Sequence, residues 1–544
     1  MVHKSQGRHS RNLLTLALTA ATLVVACSSR PPVKVYPRLT SEPPAYWPTK
    51  GWRASTPEQQ GVDSESLLKA IDFVEERELN IHSLLVIRNG YIVADATFYP
   101  FTSNSKHDVA SVTKSFTSTL IGVALRQGYI KSLQQPLLSF FPKRTVANLD
   151  ADKRAITLDD LLTMRSGLKC RTWPGEITLL RMMQSPDWVQ FMLDLPMTDK
   201  PATRFKYSSG GVHLLSAVIS EATGMSALEF ARHNLLDPMG ISEVEWPTDP
   251  QGVNNHGWGD LKISPHDMAK LGFLYLHGGS WDGNQLLPPG WVEAATAAHT
   301  SPDGHGLTDG YGYLWWVDSS GFYTAIGRGG QLITVVPEKN MIVVFTAGLP
   351  GDRAIAEELD MVTSAVIPAA ASAVPLPPNP EAVARLDAKI RELSQPRVSA
   401  SPPPSLPETA ARISGRTFAC EPSWLNIYNL LSLNVFSVKT FSLTFQRDDA
   451  AVLRMSLASV AGRMDMEFPV GLDNVYRISP GRYGLPGAAK GFWKNNNAFV
   501  IDLDELGNIN HFTIAAKFGG ETLRLAVEEK TGLPAGSYRC RAQQ

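Results

Sequence analysis

The 544-residue chain predicts an α/β architecture of the α+β type. It reads as an antiparallel sheet flanked by helices and interrupted by an inserted helical subdomain, followed by a small all-β barrel. Three observations carry this. Apolar, β-rich runs stand at both ends of the first domain, at 81–88 and 91–99 and again at 322–326, 332–336 and 341–347. A long helical and loop region, 111 to about 276, separates them, and terminal strands arranged so pair into one sheet with helices over it. Proline and alanine then dominate from 368 to 408, and beyond 411 the pattern is almost purely strand-like.

The first element is a leader. His3, Lys4, Arg8 and Arg11 make a positive start, and an acid-free apolar segment, 13–26, follows. That segment is too short to span a bilayer and reads as a secretory signal, 1–26. It ends in Val24-Val25-Ala26-Cys27, which resembles a bacterial lipobox and makes Cys27 the expected lipidation site. Several acyl chains on one residue anchor firmly, at ~0.8 kcal/mol per buried methylene. The stretch 27–50, with Pro31, Pro32, Pro37, Pro43, Pro44 and Pro48, suits a tether. The expectation is an exported protein, lipid-anchored to the bacterial cell envelope.

The first domain spans residues 51–370. Its first two strands meet at Asn89-Gly90, the dipeptide favoured by a type I′ hairpin because both positions need φ > 0. A helical pattern starts at Ser111 and runs to about Gln127, stopped by Gly128. The strands at 332–336 and 341–347 pair through Pro337-Glu338-Lys339-Asn340, and a closing helix, 352–367, ends at Pro368. Residues 371–410 form a linker with one docking helix, 381–393, whose Val383, Leu386, Ile390 and Leu393 share a stripe. In 411–544 eight short strands, from 440–446 to 538–540, suggest the barrel.

Composition narrows the partners. Acids and bases nearly cancel to a net charge of −1, so no basic face for nucleic acid is expected. No Cys-x-x-Cys or His-Glu-x-x-His spacing appears, and no cofactor or metal is expected. His299, Asp303 and His305 stand close together but read as an exposed polar loop. Export would place Cys170, Cys420 and Cys540 where disulfides persist. Cys420 lies on the first strand-like run of the barrel and Cys540 on the last, neighbours in a closed barrel, so a Cys420–Cys540 bond is expected.

Ser111-Val112-Thr113-Lys114 is the segment that carries chemistry. Three helical residues turn through about 300°, which puts Ser111 Oγ and the Lys114 amine on one face. A serine hydroxyl is a weak nucleophile until a base removes its proton, and a desolvated neutral lysine can do so. Tyr207-Ser208-Ser209 follows about a hundred residues later, then Arg328-Gly329-Gly330-Gln331 between two strands. This order resembles the penicillin-recognising serine hydrolases, and the spacing resembles their class C-like branch, with its esterases and 6-aminohexanoate-dimer hydrolases. Leu161–Leu168, Gly257–Asp260 and Asp267–Gly272 are similar to that family too. The resemblance spans roughly residues 50–370, and the tail is similar to the lipocalin-like domains carried by some members.

The resemblance implies a β-lactamase-like fold and acyl transfer through a Ser111 ester. Lys114 would be the base, its pKa lowered by burial and by Arg328, and Tyr207, flanked by two cations, would shuttle the proton. Backbone N–H groups of Ser111 and Gln331 would hold the oxyanion. Ser209, Arg328, Gly329 and Gly330 would contact substrate. Two positions depart from the pattern: Ser209 replaces an asparagine expected to reach Lys114, and Arg328 replaces a lysine or histidine. With no hydroxyl in Arg328-Gly329-Gly330, β-lactam recognition is weakened, a loss that Gly329→Thr should partly restore. The expected substrate is therefore a small ester or linear amide. A peptidoglycan-directed D-amino-acid peptidase, a weak β-lactamase and a catalytically inactive binder are the alternatives.

Overall fold

The computed structural model describes residues 43–171, 176–302, 306–396, 405–422, 437–459, 462–481, 485–531 and 536–543. The expected leader and Cys27 lie outside them. The first domain is built on an eight-stranded sheet in the order Arg53–Ala54, Tyr91–Thr97, Ile81–Arg88, Met341–Ala347, Gln331–Val336, Tyr323–Gly327, Trp316–Val317 and Gly310–Tyr311. Strands from the two ends of the domain thus lie side by side at its centre, as the two apolar ends imply. All pairings are antiparallel except Arg53 with Tyr91. Asn89 and Gly90 take φ 52 and 82, as the hairpin requires. The Pro265–Leu276 helix covers part of the sheet, Ser64–Glu76 packs on the helical segments Val362–Ala369 and Pro380–Leu393, and the helical subdomain lies between the strand pairs in sequence.

Three boundaries differ from the sequence reading. Residues 46–50, expected in the tether, are packed on the domain: Trp47 lies 5.7 Å from the Phe273 ring and 5.4 Å from that of Trp281, and Tyr46 donates to Gly90 O at 2.6 Å. Two aromatics in that stretch bury too much apolar area to stay in solvent. The closing helix runs past Pro368: Gly351–Met361 continues through a wide turn, Val362–Val366, into Ile367–Ala369. Pro368 there stands in the first turn of a new helical segment, where its missing N–H is tolerated. The docking helix, Pro380–Leu393, does dock, on Ser64–Glu76, with Leu386 and Leu393 buried and Lys389 3.5 Å from Asp72.

The second domain is a closed ring of nine strands among the described residues, not eight. Gly462–Gly471, Ala450–Ser459, Ser437–Arg447, Thr417–Pro422, Gly536–Ala542, Thr522–Glu529, His511–Gly519, Ala498–Glu505 and Gly487–Asn495 follow one another, and Gly471 against Lys490 closes the ring. Two ring strands were not among the eight expected, Thr417–Pro422 and Gly487–Asn495, the latter because its first residues, Gly487-Ala488-Ala489, are poor in β-branched and aromatic side chains. Arg477–Ser479 pairs only outside the ring. Cys420 and Cys540 face each other across neighbouring strands and are disulfide-bonded. Phe418, Phe441, Phe468, Phe499 and Ile501 fill the interior.

Candidate active site

Ser111 sits on a turn, not on the helix itself. Asp108 accepts the Ala110 N–H at 2.8 Å, Ala110 takes φ 44, and a 3₁₀ turn, Ala110–Val112, leads into the Thr113–Arg126 helix. Lys114, in the first turn of that helix, is 1% exposed. Its Nζ lies 2.7 Å from Ser111 Oγ and donates to Trp258 O at 3.0 Å. Burial among neutral partners lowers the ammonium to about 8, against the opposing pull of Glu176 and Asp260. Arg328 has no part in that shift, contrary to expectation, because its side chain is engaged elsewhere.

Tyr207 ends an extended stretch that Met164 braces, its carbonyl accepting the Lys206 N–H at 2.8 Å. Ser208 then caps the Ser209–Thr223 helix, accepting the Gly211 N–H at 3.1 Å. The Tyr207 hydroxyl is hydrogen-bonded to Ser111, and Lys114 Nζ stands 4.8 Å from the ring centroid. The expected easy ionisation is overturned. Dense protein around the phenol, then the Glu176 charge, push its pKa well up, and the Ser111 bond only partly opposes them. Tyr207 keeps part of its surface exposed. A neutral Tyr207 can relay a proton only by giving up its own as it takes another.

Ser209 does not reach Lys114. It is 1% exposed, and both its groups point to Glu176: Oγ donates to Oε1 at 2.7 Å and the backbone N–H to Oε2 at 3.0 Å. Glu176, at φ 49 before the Ile177–Gln184 helix, is the site residue the sequence did not disclose. Nothing in its spacing marks it, since it enters from a separate loop. The shorter side chain of Ser209 leaves room for this carboxylate, whose charge reaches both Lys114 and Tyr207.

The third segment also departs from expectation. Gln331 is wholly buried, so no accessible N–H there can hold an oxyanion. Its side chain braces the turn, donating to Ala347 O at 2.6 Å and Arg328 O at 3.1 Å. Gly329 and Gly330 are buried at φ 81 and 88. A Cβ at Gly329 would lie 2.3 Å from Ile509 Cγ2, so Gly329→Thr cannot serve as a restoring variant. Arg328 is exposed, and its guanidinium donates to Thr531 Oγ1 at 3.0 Å and Asn510 Oδ1 at 3.2 Å, both in the barrel.

Residues 72–363 match the family described as Beta-lactamase. The chain belongs to the β-lactamase family. It is 22% identical over 316 residues to the 6-aminohexanoate-dimer hydrolase of Paenarthrobacter ureafaciens, covering 54% of this chain and 80% of that one. To the lovastatin esterase of Penicillium rubens it is 26% identical over 137 residues, 24% of this chain and 33% of the relative. Among solved structures, a penicillin-binding protein homologue from Caulobacter crescentus aligns with a TM-score of 0.46 at 14% identity, over 58% of this chain and 98% of the other.

Other polar and aromatic residues of the domain have structural occupations. Trp258 stacks on His256 and packs against Trp188, which also touches His256, and Tyr313 donates to Asp159 Oδ1 at 2.9 Å. Cys170 is a buried free thiol 3.1 Å from Ser208 Oγ. His299 bonds Ala294 O at 2.7 Å and stacks on Tyr313, while Asp303 and His305 lie outside the described residues. Among the described residues no cluster of His, Cys, Asp and Glu could hold a metal.

Proposed function

We propose that the protein hydrolyses small esters or linear amides through a covalent acyl-enzyme on Ser111. One observation carries this reading: a buried, pKa-lowered Lys114 amine 2.7 Å from Ser111 Oγ. The neutral amine takes the Ser111 proton as Oγ attacks the carbonyl carbon. Tyr207, bonded to Ser111, passes a proton to the departing alcohol or amine and draws its replacement from Lys114. Water then attacks the ester by the reverse route. The oxyanion is held by the Ser111 N–H and by a second donor on the turn after Gly327, where Arg328 is the residue open to solvent. One such donor typically contributes ~3–4 kcal/mol.

The anchor belongs to the same proposal: maturation at Cys27 would fix the enzyme to the cell envelope, and Cys27→Ser should release it from membranes. For the chemistry, a fluorophosphonate probe should label wild type and spare Ser111→Ala. A panel of p-nitrophenyl esters, nitrocefin and D-alanyl peptides names the preferred carbonyl. Labelling of Ser111→Ala equal to wild type would move the nucleophile elsewhere.

A further inference from the structure

The barrel reaches the Asp108 and Arg328 segments through the turn 506–510, between the Ala498–Glu505 and His511–Gly519 strands, and through Thr531. Gly507 O accepts the N–H of Asp108, three residues before the nucleophile, at 2.5 Å. Ile509, 1% exposed, fills the space where Gly329 lacks a side chain. Asn510 and Thr531 then take the two terminal nitrogens of Arg328. The Thr531 hydroxyl donates to Glu529 Oε1 at 2.5 Å, which leaves its oxygen lone pairs for the guanidinium.

Arg328 stands at a sensitive place. Its neighbour Gly327 lies against Val109, where a Cβ would be 2.5 Å from the carbonyl oxygen, and Asp108 feels the Arg328 charge. A free guanidinium there would bind a substrate carboxylate through its fork, a short and directional contact. Here each terminal nitrogen is already bonded to a neutral oxygen of another domain, which fixes where the fork points.

Resting on the reading of the site as an ester or amide hydrolase, we infer that the barrel is a specificity element of the active site. Through Asn510 and Thr531 it keeps the Arg328 fork off the substrate, and so selects acyl groups that carry no carboxylate. The barrel thereby does what a pocket wall does in a one-domain enzyme, from the far side of a 371–410 linker.

The test compares p-nitrophenyl butyrate with mono-p-nitrophenyl glutarate, equal in leaving group and different in a terminal carboxylate. Asn510→Ala/Thr531→Val should raise the glutarate-to-butyrate ratio of kcat/KM by about tenfold, the scale of one charge-assisted hydrogen bond. Adding Arg328→Ala should abolish the gain. A ratio that does not move, or that rises equally without Arg328, overturns the inference. Should the double variant fold poorly, Asn510→Ala alone must shift the ratio the same way by less. A readout without turnover separates this from the catalytic reading: free glutarate should raise the melting temperature of Asn510→Ala/Thr531→Val saturably, and not that of the triple variant. Butyrate hydrolysis with no glutarate effect would sink the clasp and leave the chemistry standing. A glutarate effect without hydrolysis of any ester would do the reverse.

Discussion

Replacing Lys114 by methionine should destroy activity and stabilise the fold at neutral pH. The side chain is 1% exposed and its amine is lowered from the ordinary lysine value of 10.5 to about 8. At ~1.36 kcal/mol per unit, holding that group costs about 3 kcal/mol at pH 7. The sign follows from proton counts. Between about pH 8 and 10.5 the unfolded chain binds more protons at this lysine than the folded one, so the cost is full below 8 and fades as pH rises. Methionine removes the charge at similar volume but leaves Trp258 O without its donor, a loss of ~1 kcal/mol. The net gain is therefore about 2 kcal/mol at pH 7 and roughly nothing by pH 10. Thermal melts of both proteins at the two pH values measure it, and ester hydrolysis should fall by ~100-fold or more. A variant that melts below wild type at pH 7, or that still hydrolyses esters, would refute the account of a neutral lysine base held by burial.

The same titration sets the pH profile: kcat/KM of wild type should climb with an acid limb near pH 8 and level off above it, as the neutral Lys114 population grows. Glu176→Gln removes the carboxylate that opposes the lowering, so the limb should move to lower pH and the rate at pH 7 rise by about twofold or more. An unmoved limb would show that Glu176 only braces Ser209. Tyr207→Phe should cost ~100-fold or more on substrates with poor leaving groups and less on p-nitrophenyl esters, whose leaving group needs no proton; equal losses on both would argue against a relay. Cys420→Ser/Cys540→Ser should lower barrel stability by up to ~4–5 kcal/mol, since the bond closes a loop of 120 residues; chemical denaturation followed at the barrel checks this. Nitrocefin should be turned over at least about tenfold less efficiently than short p-nitrophenyl esters, a comparison of kcat/KM on one preparation.

Much of this protein was legible in the sequence because the signals are local. The Asn89-Gly90 hairpin follows from two residues that tolerate positive φ, and the strand Met341–Ala347 from an apolar run too short for a helix. Ser111 and Lys114 are three residues apart, so one turn of backbone puts them on one face, where packing closes the contact to 2.7 Å. Cys420 and Cys540 were placed by the closure of the barrel. Charges were another matter. Arg328 was read as a cation beside Lys114 and Tyr207, but its partners Asn510 and Thr531 stand some two hundred residues away. Ser209 looked like a shortened asparagine until Glu176 arrived from a separate loop to use its hydroxyl. Gln331, taken as an oxyanion donor, is buried beneath the turn it braces. A side chain's covalent neighbours decide which backbone it prefers, whereas its pKa and its hydrogen-bond partners depend on what the fold packs within a few ångströms. The sequence by itself therefore determined the folds and the neighbourhood of Ser111 and Lys114, and only the tertiary structure decided the turn that carries Ser111 and which charges stand around it.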